Sequence, residues 1–160
     1  MRTPRAAIRG RFLQLRGIVF DMPHVVNGAA AHLAASSLAQ RCKTVGGDFF
    51  KGVPRGADAY IMTAILHGLD DDACERVLRN CRAAMRPDGR ILIGEFVLKP
   101  ANEPDLGRII ALEMLVMAGA GRERTAEEFE DLLGRAGLHL RRIVPLRAGT
   151  SLLEAASRPS

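Results

Sequence analysis

The chain has 160 residues and a mass of 17.3 kDa, which is enough for one domain with its own hydrophobic core and too little for two. Its formal net charge is +5, but the arginines are spread thinly and form no dense basic block with interleaved aromatic residues, which argues against a nucleic-acid partner. Three cysteines without a Cys-x-x-Cys spacing argue against a disulfide framework and a zinc site.

The first half of the chain alternates helical and strand patterns. Apolar residues with the i, i+4, i+7 spacing of an amphipathic helix predict a helix over residues 4–15. The segment RGIVFDMP then predicts a short buried strand ended by Pro23, and a second helix is expected over residues 29–39. KTVGGDFF and ADAYIMT predict two further strands.

The second half predicts three helices and three strands. Residues 70–85 carry a helical stripe of apolar residues, with aspartates at the start and arginines toward the end that complement the helix dipole. RILIGEFV is apolar on both faces, as is typical of a parallel sheet covered by helices. A nearly all-apolar helix is predicted over residues 106–118, and Thr125 with Glu128 forms a capping box before a last helix that Gly137 ends. LHLRRIVP and SLLEAAS predict a terminal strand pair, so the fold class is α/β.

Four of the predicted strands are followed by a polar residue: Asp21, Asp48, His67 and Glu95. Ligands of open parallel sheets bind beyond the carboxyl ends of the strands, so we expect these side chains to meet in one crevice. Any one of them taken alone is more simply a cap or a turn former. His67 is the natural general base because it titrates near neutral pH, and a carboxylate such as Glu95 could fix its tautomer.

The segments GIVFDMPHVV, VGGDFFKGVPRGADAYIMTAILHGLDDDACERVLRNCRAAM, GRILIGEFVLKP and GRERTAEEFEDLLGRAGL resemble, in order and spacing, the S-adenosylmethionine-dependent O-methyltransferases of the plant caffeate/isoflavone type and their bacterial relatives. The resemblance covers about residues 6–156. It implies a Rossmann-like class I methyltransferase sheet flanked by helices, with S-adenosylmethionine as cofactor and no metal. The expected reaction is methyl transfer to a phenolic or polyketide-type hydroxyl in bacterial secondary metabolism.

The resemblance also assigns roles to individual residues. On the cofactor side it implies that Asp21 holds the ribose with Met22 beside it, that Asp48 and Phe49 flank the adenine, and that Thr63 stands where relatives often have lysine. On the acceptor side it implies that His67 is the catalytic base, that Glu95 and Glu123 bracket it, and that Met114 lines the acceptor pocket. For Met114, plain core packing is an equal alternative.

The chain also departs from the family pattern. No glycine-rich loop precedes Asp21, so we expect a truncated catalytic domain spanning residues 1–160, without the family's first strand, its glycine loop and its N-terminal dimerisation domain. Two hypotheses follow: an O-methyltransferase, or a non-catalytic remnant or interaction module that keeps the fold and pairs with another protomer.

The expected partners are a small-molecule hydroxyl acceptor and a second copy of the chain in a homodimer. No nucleic-acid partner is expected. No membrane is expected either, because no apolar run approaches the roughly 20 residues of a membrane span. The expected location is cytoplasmic. Asp70, Asp71 and Asp72 could imitate a metal site, but consecutive acids at a helix start are more often caps and dipole complements.

Overall fold

The structure is a computed structural model that describes residues 14–34, 36, 38–100, 103, 107–108, 121–146 and 149–158. The chain forms two compact units that divide between Pro54 and Arg55. Helices and strands alternate along both units, as the sequence predicts for an α/β fold. The expectation that residues 1–160 make up a single catalytic domain stays a prediction.

The first unit contains a parallel strand pair joined by a helix: β1 (Gly17–Asp21), α1 (Pro23–Ala34) and β2 (Cys42–Gly46). The two strands are in level register, so that Asp21 pairs with Gly46 at their carboxyl ends. The backbone N–H of Gly47 then donates to the Asp21 carbonyl at 2.9 Å. A Cβ on Gly47 would lie 2.5 Å from the Phe20 ring, so a larger residue where the chain leaves β2 would have to displace that ring.

The second unit contains a sheet with the strand order β3-β4-β7-β6, and a short β5 that pairs with the end of β4. β3 and β4 are parallel, whereas β4 with β7 and β6 with β7 are antiparallel. The elements are β3 (Ala59–Thr63), a 3₁₀ turn (Leu66–Gly68), α2 (Asp71–Ala84), β4 (Arg90–Leu98), β5 (Arg124–Thr125), α3 (Ala126–Arg135), β6 (Leu138–Pro145) and β7 (Thr150–Ser157).

The core of the second unit lies between β4, β7 and the apolar faces of α2 and α3. Ile91 and Ile93 on β4 and Leu78 on α2 are fully buried, as the helical and strand patterns predict. The predicted capping box is present, because Glu128 N–H donates to the Thr125 hydroxyl while the Glu128 carboxylate accepts from the Thr125 N–H. Burying apolar area of this kind is the main favourable term in folding.

The structure corrects two predicted boundaries. The helix predicted over residues 29–39 begins six residues earlier, at Pro23, because proline has a helical φ and lacks only an N–H that the first turn leaves unpaired anyway. The apolar run that was expected to end at His67 splits: β3 stops at Thr63, and Ala64 turns the chain with a φ of +53°.

Glu95 also lies elsewhere than predicted. It was expected just after the end of a strand, but β4 continues to Leu98, so Glu95 is part of the strand. The predicted helices over residues 4–15 and 106–118 lie almost wholly outside the described residues, and Met114 lies outside them too. None of the described helices is long and apolar enough to cross a membrane.

Replacing Thr125 by alanine tests the energetic role of the capping box. The hydroxyl accepts from the Glu128 N–H at 3.3 Å, so its loss should lower the free energy of unfolding by about 1 kcal/mol, within the usual 0.5–2 kcal/mol range for N-caps. The midpoint of urea unfolding measures this change. Thr125→Ser keeps the hydroxyl and should stay near the wild-type midpoint, and an equal loss in both variants would contradict the capping role.

Candidate functional site

The centre of the site is the turn from Ala64 to Leu69, which connects β3 to α2. Ala64 is the one non-glycine residue with positive φ in the described part of the chain, and such strained positions concentrate at functional sites. Its N–H donates to the Gly94 carbonyl at 3.0 Å, which ties the start of the turn to the neighbouring strand β4. The turn is therefore held in a conformation that its own residues do not prefer.

Glu95 binds the amino side of this turn. Because β3 and β4 are parallel and Thr63 pairs with Gly94, the next residue of β4 reaches the turn that follows β3. One carboxylate oxygen, Oε1, accepts from the N–H groups of Ile65 at 2.9 Å and Leu66 at 2.8 Å. Glu95 is only 2% exposed, and this burial raises its pKa above the ordinary value even though the two N–H donors favour the charged form.

His67 points from the same turn toward Glu123. Its Nδ1 lies 3.0 Å from Glu123 Oε1, and the imidazole is 22% exposed while the carboxylate side chain is fully buried. A carboxylate accepts only, so this contact places the proton on Nδ1 and leaves Nε2 as the basic nitrogen. Glu123 Oε2 has no hydrogen-bond partner in the part of the chain that the structure describes.

Two residues that sequence reasoning missed complete the cluster. Arg124 is 1% exposed and contacts the backbone of the turn, and Gly121 packs so closely that a Cβ would lie 2.2 Å from the His67 carbonyl oxygen. Arg124 stands between Glu123 and Thr125, both already singled out, and this adjacency was the only signal for it. Gly121 carried no signal, because a close approach between distant segments does not show in sequence.

The three consecutive aspartates act as caps and ion-pair partners. Asp70 caps α2 by accepting from the Ala73 N–H at 2.7 Å, Asp71 pairs with Arg124 at 2.7 Å, and Asp72 pairs with Arg135 at 2.8 Å. The guanidinium of Arg124 lowers the pKa of Asp71. Each of the three carboxylates already has its own partner. The three aspartates are therefore better described as caps and dipole complements than as a metal site.

In the first unit, Asp21 is the last residue of β1 and Asp48 lies just beyond the end of β2, so both are at the carboxyl ends of neighbouring parallel strands. Asp21 is exposed at the end of β1, and its Oδ1 accepts from the Met22 N–H at 2.7 Å. Asp48 follows β2, and its Oδ1 accepts from the Phe50 N–H at 2.9 Å. Both carboxylates retain capacity for further donors, because a carboxylate offers about four lone-pair sites.

The remaining predicted site residues fall in both units. Met22 is exposed beside Asp21, Phe49 makes an edge contact with Phe50, and Thr63 is the last residue of β3. The structure thus brings His67, Glu95 and Glu123 together in one cluster. The expectation that Asp21 and Asp48 share a crevice with that cluster spans both units and stays a prediction.

The comparisons with known proteins agree with this architecture. A family model described as an O-methyltransferase domain matches residues 5–139. The chain belongs to this O-methyltransferase family. The family's solved structures share its Rossmann-like class I methyltransferase fold, a sheet flanked by helices.

Three relatives in this O-methyltransferase family illustrate the match. The phenazine O-methyltransferase of Lysobacter antibioticus is 46% identical over 142 residues, which are 89% of this chain and 41% of that protein. The structure of mitomycin 7-O-methyltransferase superposes with a TM-score of 0.89 at 35% identity, over 96% of this chain and 45% of the other.

The third relative, an O-methyltransferase of neocarzinostatin biosynthesis, was solved with S-adenosylhomocysteine and 1,4-dihydroxy-2-naphthoic acid. It gives a TM-score of 0.86 at 30% identity, over 96% of this chain and 45% of the other. The chain therefore spans less than half the length of each of these relatives.

Within this O-methyltransferase chain, one cluster could also hold a cation. Ligand atoms of His67, Glu95 and Glu123 all lie within 4.8 Å of one another. The contacts already described engage one oxygen of each carboxylate: Glu95 Oε1 accepts two backbone N–H groups, and Glu123 Oε1 contacts His67 Nδ1. A cation bound through Nδ1 would have to displace the proton between His67 and Glu123, so these contacts fit a hydrogen-bonded imidazole.

The raised pKa of Glu95 predicts a pH dependence of stability. Between about pH 4.3, the ordinary value for glutamate, and the raised pKa, the folded state holds a proton that the unfolded state has lost. Stability contributed by Glu95 therefore falls as pH rises, by at most about 1.4 kcal/mol per pH unit. Urea unfolding of the wild type and Glu95→Gln from pH 4 to 8 should show the variant gaining relative stability with rising pH.

Glu154→Gln is a matched control for this titration. Its hydrogen bond from Arg142 lowers the pKa of Glu154, so this carboxylate stabilises the fold above its unfolded pKa and loses that effect as pH falls. The Glu154 variant should therefore lose relative stability as pH rises from 4 to about 5 and stay level above that, opposite to the Glu95 variant. Parallel slopes for the two variants would contradict the buried, proton-holding state of Glu95.

Proposed function

We propose that this protein is an S-adenosylmethionine-dependent O-methyltransferase of the bacterial secondary-metabolism type, which methylates a hydroxyl of a small phenolic or polyketide molecule with His67 as general base. The observation that carries the proposal is the 3.0 Å contact between His67 Nδ1 and Glu123 Oε1. Family membership supports the reaction class, and the geometry supports the role of the imidazole.

His67 has the properties of a positioned base. Glu123 accepts a hydrogen bond from the Nδ1–H of His67, which leaves the lone pair on Nε2, and the imidazole is partly exposed so that a substrate hydroxyl could reach it. When His67 takes a proton, the buried Glu123 carboxylate stabilises the imidazolium across the same contact. Glu95 contributes through the backbone of the turn, because its Oε1 accepts from the N–H groups of Ile65 and Leu66.

The residues of the first unit fit the nucleoside part of the proposed cofactor. Ribose hydroxyls are donors, and the exposed Asp21 carboxylate at the end of a parallel strand is an acceptor of matching chemistry. Asp48 offers a second acceptor at the end of the neighbouring strand, and Met22 and Phe49 offer apolar surface beside the two acids. We assign these four residues to cofactor binding, with Thr63 as a further cofactor-side residue.

S-adenosylmethionine supplies, when bound, a methyl group on a positively charged sulfonium whose carbon–sulfur bond breaks as the new carbon–oxygen bond forms. The residues of this chain accept the proton and orient the base: His67 receives the hydroxyl proton at Nε2, and the turn around it orients the imidazole. A positioned base contributes roughly 10²- to 10⁴-fold in rate. Because Oε1 of Glu95 and Oε1 of Glu123 are both engaged in hydrogen bonds, we infer that the base works without a metal.

The acceptor is proposed from the relatives. The neocarzinostatin enzyme was solved with a dihydroxynaphthoic acid, a flat phenolic molecule, and phenolic hydroxyls lose their proton far more easily than aliphatic ones. Met114 is proposed to line the acceptor pocket. A homodimer is proposed as the assembly.

The competing hypothesis is a non-catalytic module that keeps the fold. Isothermal titration calorimetry of the 160-residue chain with S-adenosylhomocysteine separates the two, because the enzyme should bind this product with micromolar affinity. Absence of binding at millimolar ligand would contradict cofactor binding by this chain and favour the non-catalytic module.

Removing the imidazole tests the base. With labelled S-adenosylmethionine and 1,4-dihydroxy-2-naphthoic acid as probe acceptor, His67→Ala should lower turnover by about 10²-fold or more, because proton removal from the hydroxyl loses its acceptor. S-adenosylhomocysteine affinity should stay within about twofold of wild type. His32→Ala, which removes an exposed imidazole on α1, should leave both unchanged. Equal losses of turnover and affinity in His67→Ala would contradict its assignment as the base.

Removal of metal ions is a separate test. Dialysis of the wild type against EDTA should leave its turnover unchanged.

A further inference from the structure

We propose that Arg124 is a positioning residue that holds His67 within hydrogen-bond distance of Glu123, and so selects the imidazole tautomer that can act as base. This inference rests on the proposed function of His67, and it extends to a residue that touches neither the imidazole nor the carboxylate. Arg124 is the largest fully buried side chain in the described part of the chain.

The guanidinium of Arg124 binds the backbone on both sides of His67. Its Nη1 donates to the Leu66 carbonyl at 3.0 Å, and its Nη2 donates to the Leu69 carbonyl at 3.0 Å. These two carbonyls flank the His67–Gly68 segment along the chain. The planar guanidinium thus sets the distance between the Leu66 and Leu69 carbonyls, and so the backbone conformation of His67 between them.

Burial of this charge is compensated by further contacts. Nε and Nη2 donate to Asp71 Oδ1 at 3.1 and 2.7 Å, and Nη1 also donates to the Arg122 carbonyl at 3.2 Å. A buried guanidinium without such partners would be strongly destabilising. Only arginine has a fork of donors in one plane, so a lysine cannot hold two carbonyls and the carboxylate in the same arrangement.

Arg124 and Glu95 together satisfy opposite sides of one turn. Glu95 accepts the N–H groups of Ile65 and Leu66, whereas Arg124 donates to the carbonyls of Leu66 and Leu69. The Cys74 thiol adds a donor to the Leu66 carbonyl at 3.3 Å, and burial raises its pKa to about 11, which keeps it protonated.

The chain position of Arg124 explains why it can control His67. It directly follows Glu123 and pairs with Val97 on β4, while Glu95 lies two residues earlier on that strand. One short segment therefore delivers the carboxylate that meets Nδ1 and the guanidinium that holds the turn. Shifting either the turn or this segment would lengthen the 3.0 Å contact between His67 and Glu123.

Nitrogen-15 NMR of the imidazole rings tests this directly, because the ring nitrogen shifts report which nitrogen carries the proton. In the wild type the neutral His67 ring should carry its proton on Nδ1, with the His67→Ala spectrum giving the assignment. In Arg124→Gln the Nδ1–H form should lose its majority to the Nε2–H form, and Arg124→Lys should restore it only in part. Turnover should fall about 10- to 100-fold with KM nearly unchanged, as misplacement of a catalytic group predicts.

Arg122→Gln is the matched control. Arg122 also pairs with Asp71, and with Glu128, but it is largely exposed and its side chain makes no described contact with the turn carbonyls. This variant should keep the wild-type tautomer. Should Arg124→Gln fail to fold, Asp71→Asn, at a half-exposed position, should weaken the anchor of Arg124 and shift the tautomer in the same direction by a smaller amount.

A folded Arg124→Gln or Asp71→Asn protein with an unchanged Nδ1–H tautomer would overturn the inference. The tautomer is read without cofactor or acceptor, so this outcome is distinct from failure of the proposed methyl transfer. If the wild type holds the Nδ1–H form and binds no S-adenosylhomocysteine, the proposed function fails while the positioning role of Arg124 remains supported.

Discussion

The structure of the second unit depends on how a short turn between β3 and α2 satisfies its backbone polar groups. The turn begins at a left-handed alanine, Ala64, and within it Leu66 is fully buried. Buried backbone groups without partners cost roughly as much as a lost hydrogen bond each. The partners here are two buried side chains: Glu95 accepts from the amides and Arg124 donates to the carbonyls. A turn held by hydrogen bonds on both sides has little freedom to move, so the residue it carries is fixed as well.

That residue is His67, and the rigidity of the turn determines what its imidazole can do. Glu123, which immediately precedes β5, contacts Nδ1 of His67. Gly121 lets the same segment approach the turn without steric conflict. The carboxylate is buried, so its interaction with the imidazole is weakly screened by water. These contacts hold the imidazole in one place, which suits the role of base that we propose for it.

Local signals predicted much of this architecture from sequence. The apolar stripe of α2, the capping box at Thr125 and Glu128, and the glycine that ends α3 depend on neighbours within a few residues. Long-range contacts could not be predicted from the sequence. Glu95 was expected beyond a strand end, and only the pairing of β4 with β3 shows that Glu95 reaches the turn from within β4. Arg124 was missed because a buried arginine has no local pattern, and the α1 start was misplaced because Pro23 serves equally as a strand end or a first helical residue.

We propose that the turn between β3 and α2 presents Nε2 of His67 to a substrate hydroxyl. A crystal structure of the chain with S-adenosylhomocysteine and 1,4-dihydroxy-2-naphthoic acid bound tests it most directly. We expect a hydroxyl oxygen within about 2.6–3.2 Å of Nε2, with Nδ1 still on Glu123 and the turn unmoved. A hydroxyl bound away from His67, or an imidazole rotated off Glu123 in that complex, would contradict it.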